Sequence, residues 1–277
     1  MHLSPFGNTI SFSVIAWLSS AACGTVAYVL MRRFGVRGWL AAALAICLVL
    51  SPHLLLVSIR QGRNVDPATV LVMLAGGLAV ADRRPLALGV IVAIGATVRE
   101  SALFLVPFAY AYWAARPVDR KAAVQAVAAG LPGLAIYVTL RAGLPTVGLG
   151  YSDPVDLVER ALDDPFVTLR RIFIAFGPLW LVAPFALRDL PYARRGLVLV
   201  GCCLIAFLFA EDWGRIVLLA APVVYVAAAH VLNPRRTLAL VTVAAFVALN
   251  LTYAVYMQVH GVETNIINGP LPPYEVR

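Results

Sequence analysis

Four residues in the middle of the chain, Val98-Arg99-Glu100-Ser101, set a charged pair between two apolar runs, Pro85 to Thr97 and Ala102 to Trp113. A helix from Pro85 to Val98 rises roughly 21 Å, against a bilayer core of about 30 Å. If Asp82-Arg83-Arg84 anchors its near end, the Arg-Glu turn stops short of the far surface. Ionisable groups at that depth are costly and face a protein interior or a wet cavity. A second charged turn, Glu211-Asp212-Trp213-Gly214-Arg215, follows the run Gly196 to Ala210, a rise of roughly 22 Å. A third stretch, Arg60 to Pro67, puts Arg60 and Arg63 three residues apart and an acid, Asp66, directly before a proline.

Such arginines suit a phosphate ester, because the guanidinium binds phosphate oxygens through a planar fork and stays charged at any relevant pH. Arg99 and Arg215, with Arg60 and Arg63 beside them, are therefore candidate phosphate ligands. Asp66, Glu100, Glu211 and Asp212 are the carboxylates that can serve as a general base or hold a divalent cation. Each stretch also has a purely structural reading. Arg99 can pair with Glu100 to close a helix end, Asp66-Pro67 reads as an N-cap with proline at the first helical position, and Arg60 and Arg63 can snorkel to the interface. No Ser/His/Asp set, phosphate-binding glycine loop or zinc-ligand spacing is present in the sequence.

The elements that must position these groups are membrane helices. The chain is 61% hydrophobic and 13% charged with a mean hydropathy of +0.86, where a soluble domain carries about twice that charged fraction. Ten runs of apolar residues predict about ten spans, at 10–31, 38–59, 67–82, 85–98, 101–115, 120–141, 172–187, 195–210, 214–232 and 236–257. The expected fold is all-α, a polytopic transmembrane bundle over residues 1–257 with an extracytoplasmic tail at 258–277. The first run follows no basic leader and is of span length, so it reads as a span and not a signal peptide.

Charge orients the bundle. The net charge is +8, but it is distributed as the positive-inside rule requires and does not mark a nucleic-acid surface. Alternate connections carry Arg32, Arg33 and Arg37; Arg83 and Arg84; Arg116, Arg120 and Lys121; Arg188, Arg194 and Arg195; Arg235 and Arg236. These five face the cytoplasm, which leaves both termini and eleven of the fourteen acids outside. The long outer segment 141–171 opens on a Gly- and Pro-containing linker. It then presents Asp153-Pro154 and Asp164-Pro165 as helix starts. Val155, Val158, Leu162, Phe166 and Leu169 recur at helical spacing, predicting an amphipathic helix at the membrane surface. The acidic pair Asp163-Asp164 reads more simply as helix capping than as a metal site. Pro52 kinks the second span, and His53 beside it reads as a packed residue. Cys23, Cys47, Cys202 and Cys203 lie in apolar runs and read as small hydrophobes.

Three motifs in this order resemble one family. They are Arg63-Asn64-Val65-Asp66-Pro67 opening a span, the hairpin Gly95 to Pro107 with its Arg99-Glu100 turn, and Asp212-Trp213-Gly214-Arg215 opening another. Together they resemble the C-type integral-membrane glycosyltransferases, which use polyprenyl-phosphate sugars as donors. The resemblance covers spans two to nine. It implies an active site open to the extracytoplasmic face, with Arg99 on the donor phosphate and Arg215 assisting. That family's catalytic acid lies in a loop after its first span, and the chain departs from the pattern as though one helix and that loop were absent. Asp66 and Glu100 are the substitutes by position. The implied partners are a polyprenyl-phosphate sugar, an unidentified acceptor and the bilayer of a plasma (inner) membrane. Two other classes compete: a transporter or flippase for an anionic or lipid-linked substrate, and a non-catalytic membrane assembly protein.

Overall fold

The computed structural model describes residues 5–52, 54, 65–143, 158–159, 162–209 and 213–260. The described residues are helical, with no strand among them. Helices α1 (Pro5–Arg33), α2 (Gly38–Val49), α3 (Asp66–Ala81) and α4 (Pro85–Val98) come first. A 3-10 turn (Glu100–Phe104) then leads into α5 (Leu105–Trp113) and α6 (Arg120–Gly143). Helices α7 (Pro165–Phe176) and α8 (Leu179–Val182, continued as a 3-10 turn to Leu187) follow. The chain ends in α9 (Pro191–Leu208), α10 (Trp213–Val217), α11 (Ala221–Leu232) and α12 (Arg236–His260).

Among the described residues, five helical stretches are long and apolar enough to cross a membrane: Ser13–Arg33, Arg120–Gly143, Pro191–Leu208, Arg215–Leu232 and Arg236–Tyr253. Three shorter apolar helices, α2, α3 and α4, pack among them. The run expected as a straight span at 172–187 is instead bent by 85° between Phe176 and Leu179. Gly177 adopts a φ of +47°, and Pro178 follows it. A glycine accepts that left-handed backbone and a proline cannot continue the ladder, so the helix must turn here. Helix α2 ends at Val49, helix resumes at Pro52 after a break at Leu50-Ser51 where the expected kink lies, and residues 55–59 of the expected span lie outside the described residues.

Packing follows membrane rules. Helix α11 is buried on all sides and forms the centre of the bundle. Around it the outer helices carry their apolar side chains outward: Leu86, Val90 and Ile94 on α4, and Val124, Val127 and Leu131 on α6, are all exposed. A protein in water would bury such stripes; in a bilayer they meet lipid. Close approach between helices depends on small residues. A Cβ on Gly133 of α6 would sit 2.6 Å from Val92 Cγ1 of α4.

The basic connections gather at one end. Arg33 binds Asp82 at 2.6 Å. The Arg37 N–H donates to Asn233 Oδ1, and Asn233 Nδ2 donates to the Gly35 carbonyl. Arg195 donates to the Tyr112 carbonyl at 2.8 Å. The Tyr192 ring meets Phe34 at a tilt and Phe108 and Tyr112 edge to face, while its hydroxyl donates to the Gly77 carbonyl. These contacts join the connections around Arg32–Arg37, Asp82–Arg84, Trp113–Arg120, Arg188–Arg195 and Asn233–Arg236 on one face.

Candidate functional site

The site forms at the opposite end, from three helix ends. Helix α3 begins at Asp66 with Val65 in the cap position and Pro67 in its first turn. The expected N-cap role of Asp66 therefore shifts one residue: Asp66 lies inside the helix, where its charge favours the positive end of the dipole. Helix α4 ends at Val98, and Arg99 leaves it in an extended conformation with φ −161° and ψ 141°. A 3-10 turn follows at once. This break directs Arg99 across to α3. Arg215 enters from α10, the short helix that opens the run into α11.

The three side chains form one ion cluster. Arg99 donates from a terminal guanidinium nitrogen to Asp66 Oδ1 at 2.6 Å, and Arg215 to Asp66 Oδ2 at 2.7 Å. Asp66 is 4% exposed, while the Arg99 and Arg215 side chains are 26% and 16% exposed. Arg99 spends one of its N–H donors on Asp66 and, among the described residues, makes no other hydrogen bond. Four donor positions of that guanidinium thus remain for an anion.

Depth separates the cluster from the basic end. The 16 residues of α3 rise roughly 24 Å and the 14 of α4 roughly 21 Å, both less than a bilayer core of about 30 Å. The Cys23 thiol meets the Pro67 carbonyl at 3.4 Å, which sets the start of α3 level with the middle of the Ser13–Arg33 stretch. The start of α3 thus lies level with the interior of the Ser13–Arg33 stretch and not with its end.

No protein-family model, curated protein or solved structure matches the chain. The functional reading rests on this geometry.

Of the residues expected to act together, the structure joins Asp66, Arg99 and Arg215. The Arg99–Glu100 pair of the purely structural reading does not form: Arg99 turns to Asp66, and Glu100 is exposed at the start of the 3-10 turn. Among the described residues Glu100 makes no ion pair. Arg60, Arg63, Glu211 and Asp212 lie outside the described residues, as do His53, Asp153, Asp156 and the tail beyond His260. Asp163 and Asp164 are exposed, and Pro165 opens α7 as expected. No group of three or more metal-ligating side chains occurs among the described residues.

Sequence reading passed over Ser101. Its hydroxyl, two residues after Arg99, is buried without a hydrogen-bond partner among the described residues. A buried, unsatisfied hydroxyl is uncommon and invites a ligand or a water. Serine type alone gives no such signal, because the same residue is ordinary in a helical hairpin.

Proposed function

We propose that the chain is a membrane glycosyltransferase that moves a sugar from a polyprenyl-phosphate donor to an acceptor on the extracytoplasmic face. The observation that carries the reading is the convergence of Arg99 and Arg215, 116 positions apart in the sequence, on one buried carboxylate at a recessed helix end. Arg99 binds the donor phosphate with its remaining donors, and Arg215 supports the same charge. An acceptor hydroxyl attacks the anomeric carbon, the bond from that carbon to the phosphate oxygen breaks, and polyprenyl phosphate leaves. Asp66 already accepts from two guanidiniums through both oxygens, so exposed Glu100 is the carboxylate better situated to take the acceptor proton. A divalent cation, if required, would assist the same phosphate.

In this reading the shorter helices α2, α3 and α4, the hairpin 101–113 and the bent pair α7–α8 also cross, giving about ten spans in the plasma membrane. Both termini are then extracytoplasmic, and the start of α7 lies along the outer surface as an amphipathic stretch before the chain enters the bent span. Its exposed Phe166 and Leu169, with Leu162 before them, support that placement.

A second reading has one observation in its favour. The Arg99–Asp66 and Arg215–Asp66 ion pairs join three helix ends, as a lock in a non-catalytic assembly protein would. Binding of a polyprenyl-phosphate sugar to purified protein separates the two. Binding by the wild type that disappears in Arg99→Ala supports the transferase, whereas equal binding, or none in either protein, assigns the cluster to structure.

A further inference from the structure

Among the described residues, Ser51, Ser101, Tyr225 and Asn250 each bury a side-chain polar atom that has no hydrogen-bond partner. Such a group costs free energy, and the cost is relieved when a partner arrives. Tyr225 lies in the core, its ring edge-on to Phe176 and Phe246. Ser101 stands elsewhere, two residues after Arg99 and so at most about 7 Å along the backbone from it, in the turn that follows the end of α4. That turn is wedged against α3 and α4. A Cβ on Gly95 of α4 would meet both Val72 Cγ1 of α3, at 2.5 Å, and Ala102 Cβ, at 2.6 Å. Ala102 therefore fills the angle between the two helices that supply Asp66 and Arg99, and Ser101 precedes it at 5% exposure. In a helical turn the Cα–Cβ bond leans toward the N-terminal end, which here is Arg99. Serine is unbranched at Cβ and moves among three staggered χ1 positions. One short stretch thus carries two kinds of unspent donor, the remaining guanidinium N–H groups of Arg99 and the hydroxyl of Ser101.

We propose that Ser101 is a further phosphate-binding residue, its hydroxyl donating to a phosphate oxygen that Arg99 holds. The proposal rests on the donor-phosphate reading and deepens it by adding a neutral donor to the same site. In this structure the hydroxyl is buried and unpaired, and rotation about χ1 presents it to the phosphate. Hydrogen bonds to a charged acceptor are the stronger kind, and relief of the unpaired state adds to them. Ser101 transfers no proton in this arrangement. It stabilises charge on the phosphate as the bond to the sugar breaks.

The test pairs two measurements on the full chain in detergent: equilibrium binding of a soluble short-chain prenyl phosphodiester, and thermal unfolding without that probe. Wild type, Ser101→Ala, Tyr225→Phe and Arg99→Ala are compared. Ser101→Ala should move the two readouts in opposite directions. It should bind the probe about tenfold more weakly, yet unfold at the same temperature as wild type or higher, because it removes an unpaired hydroxyl. Tyr225→Phe removes another unpaired hydroxyl, remote from the arginines, and should leave binding unchanged. Ser101→Ala that binds as wild type does overturns the proposal. So does Ser101→Ala that fails to fold or unfolds earlier, since the hydroxyl then holds the structure together, and so does an equal loss of binding in Tyr225→Phe. Arg99→Ala reports on the underlying reading. Loss of binding there upholds a phosphate site whichever way Ser101 behaves, whereas no binding by wild type, or binding untouched in Arg99→Ala, removes the phosphate site and the proposal together.

Discussion

The carboxylate of Asp66 and the guanidinium of Arg215 meet at 2.7 Å although 149 residues separate them in the chain. Asp66 sits on the first turn of α3 and Arg215 on α10, and the second Asp66 oxygen takes Arg99 from the end of α4. One side chain therefore ties the ends of three helices. The same contact that stabilises the bundle defines the charged cluster at this end among the described residues.

Removing that carboxylate should cost far more than removing an exposed ion pair. Asp66→Ala leaves two largely buried guanidiniums without their shared partner, a loss of about 3–5 kcal/mol for a broken buried pair. Arg33→Ala, at the exposed end of the Arg33–Asp82 pair, should leave stability unchanged within error. Denaturant unfolding of both variants in detergent checks this, and equal effects would reduce the cluster to the weight of a surface pair.

Gly95 controls where Arg99 stands. A Cβ there would lie 2.5 Å from Val72 Cγ1 on α3 and 2.6 Å from Ala102 Cβ in the 3-10 turn. Gly95→Ala should therefore push the turn away from α3, costing about 1–3 kcal/mol and weakening anion binding. Gly143→Ala, where a new Cβ meets nothing within 4 Å, is the control. Thermal unfolding and probe binding measured on the same preparations would show whether stability and binding fall together at Gly95 only.

At the basic end, Asp119 accepts backbone N–H bonds from Ala115 and Ala122. Those bonds hold its carboxyl below the ordinary aspartate value. A folded pKa below the unfolded one stabilises the protein above the unfolded pKa, and that contribution is lost as pH falls through the folded value. Asp119→Ala should thus be less stable than wild type at neutral pH. The gap should narrow below about pH 4 and close once the folded carboxyl is protonated. Unfolding midpoints of the two proteins across pH 3 to 7 would expose a constant gap if the carboxylate charge were irrelevant.

Sidedness is open to chemical labelling. Val118, exposed between Trp113 and α6, lies in a basic connection, and Asp163 lies on the opposite side in the transferase reading. With the native cysteines replaced, Val118→Cys should react with an impermeant maleimide only in inverted vesicles, and Asp163→Cys only in intact cells. Labelling of both from one side would overturn the orientation.

Much of this architecture was legible in the chain. Apolar length and arginine spacing determine that the protein is an all-helical membrane bundle with its basic connections on one face, because burial of backbone in lipid admits few alternatives. Asp66, Arg99 and Arg215 were legible as candidates because charge between short apolar runs is costly. Their pairing was not. Sequence adjacency favoured Arg99 with Glu100, whereas the extended backbone at Arg99 turns the two side chains apart. The 85° bend between α7 and α8 likewise read as one straight span, since apolar length carries no information about direction. What the sequence determined by itself was local and additive: hydropathy, charge and helix-breaking residues. What tertiary structure decided was which helix ends meet, because that depends on how Gly95, Gly133 and the central helix α11 let the bundle close, and no periodicity along the chain encodes it.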